Sequence, residues 1–108
     1  MKQKLSGTDR LIIPRLLPEK GQMLQQVTVK EVIDIIQIKS AEFEEYGLVE
    51  NTKTGHLIWD PEKIKLEKEF DLTKIHTTLL KEAIEKKDKD GEITLQILET
   101  CQRIQKLR

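Results

Sequence analysis

Three side chains in this sequence have the greatest potential for catalysis or metal binding: His56, His76 and Cys101. Zinc sites place histidines or cysteines at short fixed spacings, which these three widely separated residues do not match. The sequence also contains no glycine-rich phosphate loop and no nucleophile motif of the hydrolase families. We therefore predict no catalytic residue, no cofactor and no metal ligand. An enzyme that uses His56 or His76 would require both histidines to face one cleft.

A short acidic segment, Asp88 to Gly91, resembles part of a calcium-binding EF-hand loop. When Gly91 is aligned to the sixth loop position, the first position is Lys86 and the twelfth is Ile97. Calcium requires oxygen ligands at both of those positions. The segment is therefore interpreted as the end of one helix followed by a glycine turn, without bound calcium.

Charge is balanced over the 108 residues but is unevenly distributed along them. The chain has 19 basic and 19 acidic residues, so it is neither a polybasic nucleic-acid binder nor an acidic tail. Residues 1–30 carry a net charge of +4, residues 31–60 carry −5 and residues 61–108 carry +1. The simplest use of this asymmetry is pairing between the two charged segments, within one chain or between two chains.

Apolar periodicity predicts a single α+β domain over residues 1–108, with elements in the order α-α-α-β-β-β-α-α. The β-rich part is expected to be a three-stranded antiparallel meander packed against the helices. Its first two strands, near Leu48 and Leu57, flank a glycine-containing turn, which is typical of a β-hairpin. Residues 63–72 alternate apolar and charged side chains as a third strand does, with Lys68 as the one charge on the apolar side. The expected helices are a short one capped at Thr8-Asp9 and ending near Leu17, one over residues 23–38, a brief one over 41–46 that ends at Gly47, one capped by Thr73 or Asp71, and one capped by Thr94. The last two have predicted apolar stripes, which are Leu72, Ile75, His76, Leu79, Leu80 and Ala83 in the first and Leu95, Leu98, Cys101 and Ile104 in the second.

Residues 28–60 also fit a second interpretation, a winged helix-turn-helix that binds nucleic acid. The order of helix, turn, helix and hairpin is right for such a module. The helix that would read the bases contains Glu42, Glu44 and Glu45 and no cation. DNA affinity depends largely on cations that neutralise phosphates, so this helix is poorly suited to the task. A winged-helix-like nucleic-acid-binding or regulatory module is therefore kept as the alternative function, not the leading one.

Trp59 is the single tryptophan of the sequence and stands at the end of a predicted strand. A tryptophan there either anchors the sheet to the core or serves as a contact residue in an interface. The leading hypothesis is a small non-enzymatic protein that acts through contact with a protein partner or by self-association. We predict that its interface contains Glu42, Glu44, Glu45 and Trp59.

The single cysteine excludes an intramolecular disulfide, and no apolar stretch is long enough to span a bilayer. These features predict a cytoplasmic protein without a membrane partner. Nucleic acid is not an expected partner either, because the acidic centre disfavours it.

Several features spread over most of the chain resemble small proteins of phages, prophages and related bacterial genomes. They are the stretch Leu16 to Gly21, Trp59 ahead of the strand from Lys65 to Phe70, Leu72-Thr73 at a helix start, and the segment Lys87 to Leu95. The resemblance implies a bacterial or phage-infected host and carries no activity.

Overall fold

The computed structural model describes residues 2–107 and shows a small α+β domain. Within these residues it contains five α-helices and two antiparallel sheets of two strands each. The strands are β1 (Lys2–Ser6), β2 (Val49–Glu50), β3 (Leu57–Ile58) and β4 (Glu67–Asp71). The helices are α1 (Gly7–Leu16), α2 (Met23–Ile36), α3 (Phe43–Tyr46), α4 (Lys74–Lys89) and α5 (Leu95–Gln105). Single 3₁₀ turns, Ser40–Glu42 and Lys63–Lys65, precede α3 and β4.

The predicted three-stranded meander is wrong, because β4 does not join the hairpin. It pairs instead with β1, with Gln3 opposite Phe70 and Leu5 opposite Lys68. β1 is an element that the sequence analysis missed. The alternation predicted for residues 63–72 is present in β4, where Lys68 and Phe70 are half-buried between exposed neighbours. The first part of that predicted strand is the 3₁₀ turn at Lys63–Lys65.

Helix α1 begins with a reciprocal cap made by Ser6 and Asp9. The Ser6 hydroxyl accepts a hydrogen bond from the Asp9 N–H at 3.2 Å, and the Asp9 carboxylate accepts one from the Ser6 N–H at 2.9 Å. This capping box satisfies two of the backbone donors that a helix start leaves open. The helix continues past Pro14 to Leu16. Its start lies earlier than the cap predicted at Thr8-Asp9.

The larger core forms where α1, α2, α4 and α5 pack together behind the β1–β4 sheet. Buried residues from β1 and from the four helices meet there, among them Leu5, Ile13, Val32, Leu80 and Ile104. Thr73 caps helix α4, as predicted, and the His76 side chain completes a second capping box. The predicted apolar stripes of α4 and α5 are partly wrong, because Ile75 is 68% exposed and Leu95 is 90% exposed.

A smaller core lies under the hairpin and consists of Tyr46, Leu48 and Ile64, with Leu11, Ile38 and Phe43 packed against it. The brief helix predicted over residues 41–46 appears as the 3₁₀ turn followed by α3. Gly47 ends α3 with a left-handed backbone, at φ +64°, as predicted from its position. The hairpin that follows is present, with Val49 opposite Ile58 and Glu50 opposite Leu57.

Replacement of Gly47 by alanine tests how tightly the base of the hairpin closes. A Cβ at this position would lie 2.6 Å from the Asp60 Cβ and 3.2 Å from the Asp60 backbone nitrogen. We expect Gly47→Ala to lower the free energy of unfolding by about 2–4 kcal/mol, because left-handed strain and steric overlap add. Urea denaturation measures this. Gly91→Ala shares the positive φ but has open space around the new Cβ, so it should lose about half as much.

None of the helices in residues 2–107 has the length and apolar character needed to cross a membrane.

Candidate interaction surface

Arg10 is the charged residue that joins the two cores, and it was not singled out from the sequence. Its side chain is 2% exposed. The guanidinium donates hydrogen bonds to the carbonyl oxygens of Ile36 at 2.7 Å and Gln37 at 2.7 Å, and to the Tyr46 hydroxyl at 3.0 Å. It lies 4.7 Å from the centroid of the Phe70 ring. Arg10 thereby ties the end of α2 and the segment around α3 to α1.

Glu42 neutralises Arg10 through a two-point ion pair. Its two carboxylate oxygens lie 2.6 Å and 2.8 Å from the two terminal guanidinium nitrogens, the planar fork geometry that only arginine provides. Lys68 then bridges Glu42 at 2.9 Å and Glu45 at 3.0 Å. The unexpected position of Lys68 on the inner face of β4 is explained by these two carboxylates.

These ion pairs change how the predicted interface residues are interpreted. Glu42 is largely buried and bonded within the chain, so it is part of the fold and not a free interface carboxylate. Glu45 is half-exposed and also paired, whereas Glu44 is exposed. Arg10 comes from the basic first segment and Glu42 from the acidic second one. The charged segments therefore do meet within one chain, at this ion pair.

The Arg10–Glu42 pair should contribute to a loss of stability in acid. Hydrogen bonding to the Arg10 guanidinium holds the pKa of Glu42 well below its ordinary value of 4.5, against the opposing effect of burial. A lowered pKa in the folded state gives stability that is present above the ordinary value and is lost as the pH falls below it. We expect the difference in unfolding free energy between wild type and Glu42→Gln to shrink steadily from about pH 5 downward. Urea titrations at several pH values measure it, and a pH-independent difference would contradict it.

A second buried polar centre lies at Asp9 and connects α1 to α5. The Asp9 carboxylate accepts a hydrogen bond from the Thr100 hydroxyl at 2.7 Å and lies 3.1 Å from Nε of Arg103. Arg103 also lies 3.2 Å from Glu67 at the start of β4. The Asp9 carboxylate therefore contacts three donors, namely the Ser6 N–H, the Thr100 hydroxyl and the Arg103 guanidinium, and all three belong to the same chain.

The hairpin exposes four large apolar side chains in a short stretch of chain, which we call the hairpin surface. They are Val49, Leu57, Ile58 and Trp59, with exposed fractions of 63%, 41%, 54% and 46%. None of them belongs to either buried core. The base of the hairpin is fixed by Gly47 against Asp60, whose carboxylate accepts hydrogen bonds from the backbone of Glu62 and Lys63. The hairpin that carries these exposed apolar side chains is therefore held in place at its base.

Trp59 also forms one side of a cleft of about 440 Å³ that separates the hairpin from α5. Thr8, Pro61 and Gln96 contribute to its walls, and the Asp9–Arg103 pair lies among the lining residues. Trp59 is therefore half-exposed at the edge of a concave part of the surface. Aromatic residues that contribute most of the binding energy of an interface are found in such positions. The predicted place of Trp59 in the interface stays a prediction.

The three residues with the greatest catalytic potential are dispersed over the fold. His56 is exposed in the hairpin turn, while His76 is buried at the start of α4. His76 Nδ1 accepts a hydrogen bond from the Thr73 N–H, and its Nε2 lies 3.5 Å from Glu31. Cys101 is buried in the core, and burial raises the pKa of its thiol. No group of three or more histidine, cysteine or carboxylate side chains suited to a metal occurs within residues 2–107.

No family model matches the chain, and no curated protein or solved structure matches it either. The resemblance to small phage and prophage proteins stays a prediction.

Proposed function

We propose that this chain is a small non-enzymatic protein that acts by binding another protein through the hairpin surface. The observation that supports this most directly is the exposure of Val49, Leu57, Ile58 and Trp59 together on one hairpin. Val49 and Ile58 are cross-strand neighbours on one face of the hairpin, and Leu57 lies on the other face. Exposed apolar side chains gathered on one short element mark interaction sites, because leaving them in water is unfavourable.

Two other observations support an interface at the hairpin surface. The buried carboxylates of Glu42 and Asp9 bond to Arg10 and Thr100 within the chain, so they are not available to a partner. Trp59 beside a cleft also offers an aromatic anchor of the type that dominates binding energy in interfaces.

The nucleic-acid alternative keeps less support. Helix α3, which would read the bases, has four residues and carries Glu44 and Glu45. A recognition helix normally presents several turns to the major groove and is accompanied by cations that contact phosphate.

The test is comparative capture from cells that naturally express the protein. Val49→Ser combined with Ile58→Ser removes apolar area from an exposed site, so its folding stability should change by less than about 1 kcal/mol. We expect this variant to lose the proteins retained by wild type. Leu24→Ser, at a 79% exposed position on α2, is the matched control and should retain them.

Two outcomes would contradict the proposal. Identical retained proteins for wild type and the double serine variant would exclude the hairpin surface. Retention that disappears after nuclease digestion of the lysate would favour the nucleic-acid alternative instead.

A further inference from the structure

We propose that the cleft between Trp59 and α5 binds a neutral saccharide of one or two sugar rings. Apart from Trp59, the cleft uses none of the side chains of the hairpin surface, so this binding does not depend on the protein contact proposed above.

The cleft has the size of a small-molecule site and is formed by the fold itself. Its volume is about 440 Å³, and small-molecule sites commonly measure about 300–1,000 Å³. Its walls come from four parts of the chain: the start of α1, the end of the hairpin, the chain from the second 3₁₀ turn into β4, and α5. Asp9 and Thr100, two buried residues of the lining, hydrogen-bond at 2.7 Å and so join α1 to α5. A cleft held together in this way exists before a ligand arrives, which lowers the ordering cost of binding.

The charges that line the cleft largely cancel one another. Arg103 lies 3.1 Å from Asp9, 3.2 Å from Glu67 and 3.8 Å from Glu99. With Lys65, the lining holds two cations and three carboxylates, a net charge of −1. An anionic ligand would lie beside three carboxylates, and a cationic ligand would compete with Arg103 for the same acceptors. A neutral polar ligand avoids both costs.

Polar groups that the fold does not use remain along the cleft. The Thr8 hydroxyl and the Gln96 amide form no side-chain hydrogen bond with any residue in 2–107. The side chains of Glu67 and Glu99 are 44% and 88% exposed, so both keep acceptor capacity beyond their contact with Arg103. The cleft therefore offers donors and acceptors together. Hydroxyl groups of a ligand require this combination, because each hydroxyl both donates and accepts.

Trp59 favours a sugar among the neutral polar ligands. Its side chain is half-exposed and lines the cleft together with Pro61 and Ile64. A sugar ring has a face of C–H groups, which packs on the electron-rich face of an aromatic ring, and carries its hydroxyl groups around the edge. A ligand that is polar on every side would gain nothing from the indole, and a wholly apolar one would leave Thr8 and Gln96 without partners.

The experiment titrates neutral sugars (glucose, galactose, mannose, maltose, cellobiose and lactose) into the full chain and records the fluorescence of Trp59, the single tryptophan. We expect a saturable change with at least one of them, because the sugar ring covers the indole. Calorimetry then compares variants. Gln96→Ala should weaken binding about fivefold and Trp59→Ala about tenfold. Gln102→Ala, at an exposed glutamine of the same helix outside the lining, is the matched control and should bind as wild type does.

A second arm distinguishes the two natural sources of a sugar. The best free sugar competes with the same sugar linked to a carrier protein. Tighter binding of the free form assigns the cleft to a free saccharide, and tighter binding of the linked form assigns it to a glycan on a macromolecule. Both results support a saccharide site.

The absence of saturable binding by every sugar would overturn the proposal, as would equal affinities of Gln96→Ala and wild type. Tighter binding of glucosamine, glucose 6-phosphate or a nucleoside would also overturn it, because the cleft would then select charge or a flat base. The Val49→Ser, Ile58→Ser variant leaves the lining unchanged and should still bind the sugar. Unaltered lysate capture by this variant contradicts only the proposed function, and hairpin-dependent capture without sugar binding contradicts only the saccharide site, so the two proposals fail separately.

Discussion

Arg10→Ala is expected to lower the free energy of unfolding by about 3–5 kcal/mol, because it leaves a buried charge and several buried acceptors without their donor. The Glu42 carboxylate, the carbonyl groups of Ile36 and Gln37, and the Tyr46 hydroxyl all depend on this side chain. Urea or thermal denaturation followed by circular dichroism measures the loss. Because Arg10 joins the two cores, we also expect a less cooperative transition.

Three further variants separate the causes of this loss. Arg15→Ala, an exposed arginine of the same helix, should change stability by less than about 0.5 kcal/mol. Arg10→Lys should recover only part of the loss, because an ammonium cannot make the two-point pair and reach both carbonyls. Arg10→Ala with Glu42→Ala should be less destabilising than the sum of the single changes. A single Arg10→Ala variant as stable as Arg15→Ala would contradict the structural role given to this side chain.

Asp9→Ala is expected to have an effect of similar size, about 3–5 kcal/mol, since the helix cap and the link to α5 are lost together. The Ser6 N–H and the Thr100 hydroxyl would lose their acceptor, and the Arg103 guanidinium would keep only Glu67 and Glu99. Denaturant titration again measures the change.

The controls for Asp9 use a distant acid and a partial change. Asp34→Ala removes an exposed carboxylate whose ion pair with Lys30 is 4.0 Å long, and should cost less than about 0.5 kcal/mol. Thr100→Val removes one donor only and should cost about 1–2 kcal/mol. If Asp9→Ala and Asp34→Ala were equally mild, the buried centre would not stabilise the fold.

The elements that depend on local pattern are those that the sequence predicted well. Helix α2 starts at Met23, α4 begins after Thr73, and Gly47 ends α3, since caps and apolar spacing act over a few residues. Ile75 was expected in the apolar stripe of α4 and is exposed. Periodicity identifies a helix face, but the packing of other elements decides how much of that face is covered.

The features that the sequence did not predict depend on distant partners. β1 contains one large apolar residue, Leu5, and its strand form depends on pairing with β4. Arg10 looked like an ordinary cation because its acceptors lie 26 to 36 positions away. One signal was available: Lys68, the single charge on the apolar side of its strand, indicated a buried acid that proved to be Glu42. No pattern in the sequence around Val49, Leu57, Ile58 and Trp59 indicated that these side chains would be exposed.

The hydrogen bond between Asp9 and Thr100 spans 91 positions of the chain. During synthesis Thr100 is made 91 residues after Asp9. The β1–β4 pairing likewise joins residues made far apart in time. Contacts between residues so far apart in sequence slow folding, because the intervening chain loses conformational entropy before the contact forms. We therefore expect the nascent chain on the ribosome to stay open to proteolysis until α5 has emerged, and to close late in a single step.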